Sequence, residues 1–164
     1  MKKYILIVVA CWLVLVTSAF IPFSEKREAV DFPEGFRNWQ HIKSHVVGPN
    51  NPAAPKYSGF TSYYANDKAM QGYRTNIWPD GAIIVVDVLE SIEKSGDYAM
   101  SKRKFIDVMV KDSKKYAATG GWGFEEFWEG DKTKAMIKEE SATKCFNCHK
   151  SRAGERLVFT NYLE

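Results

Sequence analysis

A chain of 164 residues, 45% hydrophobic and 14% aromatic, can bury one good core but is short for two domains. Its 23 basic and 20 acidic residues give a net charge of +3. Setting aside Lys2 and Lys3 leaves 21 against 20, a net of +1, which excludes the electrostatic footprint of a nucleic-acid-binding protein.

The N-terminus reads as an export signal. Lys2 and Lys3 precede an apolar run from Tyr4 to Val16, and Thr17-Ser18-Ala19 offers small residues of the kind a signal peptidase cuts after. Residues 1–23 are expected to be a signal peptide or an uncleaved membrane anchor, since 4–23 is long enough to span a bilayer. Val8-Val9-Ala10-Cys11 also resembles a lipoprotein cleavage box. On each reading the basic end stays in the cytoplasm, and residues 24–164 form one domain in the periplasm or elsewhere beyond the membrane.

After a polar linker, Phe36–Val47 mixes apolar and polar residues at a spacing that suits helix or strand, and a helix is expected. Gly48–Pro55 is a loop, with three prolines and a glycine. Phe60–Tyr64 is aromatic and β-prone. Trp78-Pro-Asp-Gly81 is a turn, and the β-branched run Ala82–Leu89 is a strand covered on both faces. In Lys104–Asp112, Ile106, Val108 and Val110 alternate with Phe105, Asp107, Met109 and Lys111, which predicts a half-buried strand. Gly120–Trp128 is a glycine-led turn into an aromatic strand. Asp131–Lys144 reads as a helix capped by Asp131 that ends at Cys145. The expected fold class is α+β, a mainly antiparallel sheet with a few helices.

Loss of the leader removes Cys11, so Cys145 and Cys148 are the only mature thiols. A disulfide between them would close a very small loop and stabilise little. A thioredoxin-like pair belongs in a βαβ unit, which is absent, and a zinc site lacks a fourth ligand, His41 and His45 lying far upstream. What remains is Cys145-Phe-Asn-Cys-His149 as a haem c attachment motif: two thiols add to the two vinyl groups of the ring, and the histidine is carried beneath the iron. The expected cofactor is one covalent haem near the C-terminus, held by Cys145 and Cys148, with His149 as iron ligand. A sixth ligand would come from His41, His45, Met70, Met100, Met109 or Met136, because the residues after His149 include neither His nor Met.

Tyr63-Tyr-Ala-Asn66, Thr75-Asn-Ile-Trp-Pro-Asp-Gly81, Asp107–Asp112, Thr119-Gly-Gly-Trp-Gly-Phe124 and the late haem motif, in this order, resemble the cytochrome P-460 family, which includes the cytochromes c′-beta. The resemblance implies an antiparallel β fold, a homodimer, and one haem c whose distal position is vacant or water-filled. It also implies one of two activities: binding of nitric oxide or related small nitrogen ligands in an apolar pocket, or oxidation of hydroxylamine. Members that oxidise hydroxylamine carry a lysine joined to the haem edge, expected on the strand after Trp-Pro-Asp-Gly. Ile83–Glu90 has no lysine, and Lys68 and Lys94 fall in turn-like sequence, so no cross-link is expected.

The functional expectation is therefore an exported mono-haem cytochrome with an open distal site for a small nitrogenous ligand. The alternatives are a hydroxylamine- or peroxide-oxidising enzyme and a bis-ligated electron carrier serving a redox partner protein. Turnover needs a distal acid or base, for which Glu125, Glu126 and Arg74 are candidates, although two adjacent glutamates on a strand imply that one faces solvent. The large aromatics Phe105, Phe124, Phe127, Trp78, Trp122 and Trp128 read as core, and Phe60 is the candidate for the distal wall.

Overall fold

The computed structural model describes residues 29–54, 56–137, 139–153 and 156–162; the leader expected at 1–23 lies outside them. Five strands, β1 (Gln40–Val47), β2 (Gly59–Ala65), β3 (Ile83–Lys94), β4 (Asp97–Lys111) and β5 (Trp122–Trp128), form one sheet in chain order. Every neighbouring pair is antiparallel. Two helices, α1 (Asp67–Thr75) and α2 (Glu139–Ala153), complete the α+β architecture. Among the described residues no helix is long and apolar enough to cross a membrane.

Cross-strand register sorts the side chains by face. Lys43, Tyr63, Val86, Asp107 and Glu126 form one row, and Ser44, Ser62, Asp87, Ile106 and Phe127 form the next, on the opposite face. The second face, here called the rear, is closed by Val30, Phe32, Phe36 and Trp39, which pack on Val85, Ile106, Val108 and Phe127. The front is covered at one end by Met70 of α1, Phe146 of α2 and the C-terminal Leu157 and Val158, which pack with Ile84, Met109, Trp122 and Phe124. The rest of the front wall faces a cavity.

Four expectations are corrected. Phe36–Val47 is a 3-10 turn (Phe36–Asn38) followed by β1. A register shift between His41 and Lys43 interrupts alternation in that strand and leaves Ile42 and Val47, five apart, as its buried residues. The strand at 104–112 is covered on both faces, with Phe105, Ile106, Val108 and Met109 all buried. The C-terminal helix starts at Glu139 and runs through the cysteine motif, because Asp131 spends its carboxylate on Thr133 N–H and Oγ1 in a local turn. Lys68 lies in α1 and Lys94 ends β3.

Helix α1, not among the elements expected from the sequence, starts on an asparagine cap. Asn66 Oδ1 accepts from Ala69 N–H at 2.9 Å and from Ile83 N–H at 3.0 Å, and its amide donates to Gly81 O at 2.9 Å. One side chain thus starts the helix and ties it to β3. Gly72 lets Trp78 lie against the helix, since a Cβ there would sit 2.2 Å from the indole.

Candidate functional site

Cys145, Cys148 and His149 are spaced i, i+3 and i+4 on α2, so they share one helical face, and all three line a cavity of about 440 Å³. Both cysteines are free thiols, Cys148 exposed and Cys145 partly buried; burial, with Asp107 next, raises the Cys145 thiol above its ordinary value. His149 is held from behind. Its Nδ1 stands 2.7 Å from the carbonyl oxygen of Leu157. A carbonyl only accepts, so Nδ1 carries the proton and Nε2 keeps the lone pair, the tautomer a metal takes up. Burial lowers the imidazole pKa, which also favours the neutral ring. Phe159 stacks on the ring at 4.1 Å and Phe124 packs at 5.1 Å. Leu157 adopts φ 59°, a left-handed conformation rare for a bulky side chain. It is held there by burial of that side chain at 3% exposure while its carbonyl orients the histidine.

The opposite parts of the wall come from all five strands and from the 51–57 loop. Val47, Val86, Met109, Phe124 and Ile137 make it apolar, as a flat macrocycle requires. One polar group is conspicuous: Thr61, 1% exposed, has a buried hydroxyl with no hydrogen-bond partner among the described residues. Leaving such a hydroxyl unmatched costs about 1–3 kcal/mol. Two thiols and an available imidazole nitrogen on one helical face, beside an apolar slot with an unmatched hydroxyl, fit a covalently attached haem.

The polar end of the wall was only partly foreseen. Asp107 and Glu126 are cross-strand partners on β4 and β5, and both line the cavity. Tyr57 donates to Asp107 Oδ2 at 2.6 Å, and Lys56 is paired with Glu126. The surface Asp107 retains faces this cavity. Burial pushes its carboxyl up to about 7; Lys56 and the Tyr57 hydrogen bond pull the other way, and the Glu126 carboxyl adds to the rise. Burial raises the Tyr57 phenol far above its ordinary value, with Asp107 contributing next. Although partial burial opposes it, Asp107 and Glu126 hold the Lys56 ammonium above the usual lysine range.

The remaining candidates separate clearly. Glu125 and Glu126 are both buried, at 3% and 8%, contrary to the expectation that one faces solvent. Glu125 Oε1 accepts from Ile137 N–H at 2.8 Å and from Glu126 N–H at 3.1 Å, so the segment after β5 covers it. Arg74 is an exposed residue in the last turn of α1 and does not line the cavity. Phe60 does not line it either: its neighbour Thr61 does, and alternation turns Phe60 to the rear. Among the upstream ligand candidates, Met70 is core, Met100 and Met136 are exposed, and His41 hydrogen-bonds Ser44 Oγ at 2.8 Å. His45 and Met109 do line the cavity. The lysine missing from Ile83–Glu90 has a counterpart in Lys56, which reaches the cavity from the loop before β2.

Compared with known proteins, residues 33–160 match the family model described as Cytochrome P460. No curated protein matches the chain.

Proposed function

Because the chain belongs to the cytochrome P460 family of haem c proteins, we propose that it is an exported mono-haem cytochrome that oxidises hydroxylamine or a closely related nitrogen compound. Cys145 and Cys148 attach the haem, His149 Nε2 takes the iron, and the other coordination position is left for the ligand. The observation that carries the oxidative reading is the Asp107–Glu126 pair on the cavity wall, with Tyr57 and Lys56 bonded to it.

When bound, the haem supplies an electron-accepting iron at which a small nitrogen ligand is held. Asp107, whose pKa lies near 7, is matched to taking a proton from such a ligand at neutral pH. Glu126 lies beside it to share the charge. Tyr57 fixes the Asp107 oxygen, and Lys56 balances the pair. Lys56 is also the wall lysine available to the haem edge, the feature that the family resemblance ties to hydroxylamine oxidation.

A second reading, binding of nitric oxide without turnover, is favoured by the apolar remainder of the wall, Val86, Met109, Phe124 and Phe159, which disfavours anions. Exposed Ile92, Tyr98 and Met100 on the β3–β4 hairpin offer contact surface for the homodimer the resemblance implies. The test is steady-state reduction of an electron acceptor by purified holoprotein with hydroxylamine, alongside a tryptic haem peptide map. Turnover is expected; a haem peptide carrying Lys56 would in addition require a two-electron oxidant such as peroxide, which takes up the two hydrogens lost when the C–N bond forms. Tight nitric oxide binding with no acceptor reduction and no lysine on the peptide would establish the second reading instead.

A further inference from the structure

The cavity crosses the whole sheet, and its two ends differ. At the β5 side stand α2 and the two thiols; at the β1–β2 edge the wall is made by His45, Thr61 and Tyr63, with Lys43 beside them in the Tyr63 row. Among the described residues that line this corner, the polar groups can all donate and are set against aromatic surface. The Lys43 ammonium lies 5.6 Å from the Tyr63 ring centroid and the His45 ring stacks on the same phenol at 5.7 Å. Neither Lys43 nor His45 has an acidic or hydrogen-bonding partner among the described residues, and the Thr61 hydroxyl is buried and unmatched. Three donor groups with no acceptor, gathered at the edge of a cavity, are the complement of a carboxylate or similar oxyanion.

We propose that the corner of Lys43, His45 and Thr61 is a carboxylate-binding subsite, and that it receives the carboxylate arms of the haem. This rests on the haem reading above. In a haem the vinyl groups and the carboxylate arms leave the ring from opposite edges. With the vinyl edge fixed at Cys145 and Cys148 on the β5 side, the carboxylates are directed towards β1 and β2. The Thr61 hydroxyl then donates to a carboxylate oxygen, Lys43 supplies the positive charge, and His45, whose pKa burial and the neighbouring Lys43 hold below its ordinary value, offers a ring N–H. Of the acidic residues lining the cavity, Asp107 lies two strands further in from Tyr63, in the Lys43–Tyr63–Val86–Asp107 row, and it is occupied by Tyr57.

The experiment uses purified holoprotein with Thr61→Val, Thr61→Ser and Lys43→Gln, all of which leave both attachment cysteines intact. Resonance Raman should show the haem carboxylate bending band shifted in Thr61→Val and restored in Thr61→Ser. Lys43→Gln should lower the midpoint potential, because it removes a positive charge that favours the reduced iron. Unmoved bands in all three variants would overturn the proposal. So would an N–O stretch of the nitric oxide adduct that shifts in Thr61→Val, which would place the hydroxyl at the iron ligand. Nitrite that perturbs the wild-type spectrum but not that of Lys43→Gln, with the carboxylate band unmoved, would assign the corner to a free oxyanion. A wild-type protein without covalent haem would be a different failure, that of the haem reading itself, and the haem stain separates the two.

Discussion

Asp87 and Asp107 stand on adjacent strands of the same sheet and face opposite sides, and the protein treats them differently. Asp87, on the rear, is 0% exposed and is gripped by two guanidinium groups: Arg103 Nε reaches Oδ1 at 2.7 Å, and Arg37 Nη2 reaches Oδ2 at 2.5 Å. Its lone pairs are used and its charge is compensated, so it locks the N-terminal cover to the sheet. Asp107, on the front, has a tyrosine and a second carboxyl for company, with one lysine serving both. A carboxyl kept short of positive charge in a cavity is poised to change protonation. The rear is built for stability and the front for chemistry.

The strongest way to sharpen that contrast is to remove the front's anchor. Changing both Cys145 and Cys148 to Ser should abolish covalent haem altogether, read as a mass without added haem and loss of haem stain. A sheet closed on its rear by apolar packing should persist, so the circular dichroism of the β-sheet is expected to survive. Unfolding of the variant would show that the two faces are not independent.

Next in size is Asp107→Asn, which keeps shape while removing the base. Hydroxylamine turnover should fall about 10²- to 10⁴-fold, the range of general acid–base contributions, with attached haem unchanged. Asp87→Asn should do the reverse. It leaves Arg37 and Arg103 facing an uncharged buried group and should cost about 3 kcal/mol of stability, measured by urea unfolding, with turnover per haem nearly intact. Equal effects of the two substitutions on turnover would erase the distinction between the faces.

The sequence disclosed these two faces unequally. Cys145-x-x-Cys-His149 was legible because its chemistry depends on a local helical spacing that the residue order alone supplies. The strands at 60–64, 82–89 and 122–128 were legible for the same reason, alternation and β-branching being local. Alternation states which residues share a face, not what covers it. Asp107 therefore read as the outer side of a half-buried strand, and the Glu125/Glu126 adjacency read as one solvated residue. Only the fold reveals that both glutamates line the cavity and that the segment ending at Ile137 closes over Glu125. Lys56 was invisible for a related reason: it sits in a loop after the prolines, where no period exists, and its neighbours Glu126 and Asp107 are distant in sequence. Phe60 was misplaced by one step of alternation, which Thr61 occupies instead.

The smallest effect expected is on the pH dependence of stability, and its sign separates the two faces again. In the unfolded chain Asp107 has an ordinary carboxylate pKa near 4; in the folded protein burial lifts it to about 7. Between those values the folded state holds more protons than the unfolded state, so stability contributed by this group is greatest below pH 4 and declines as pH rises towards 7. The Lys56 ammonium, held above its usual range by Asp107 and Glu126, acts in the same window only as a constant favourable charge, since its own contribution is lost at strongly alkaline pH. Asp107→Asn removes the titrating group and should flatten the decline between pH 4 and 7 in urea midpoints, whereas Asp87→Asn should lower stability while retaining that decline. Parallel profiles for wild type and Asp107→Asn would mean that Lys56 and Tyr57 hold Asp107 ionised throughout. The front carboxyl would then be a locked ion pair like its counterpart on the rear.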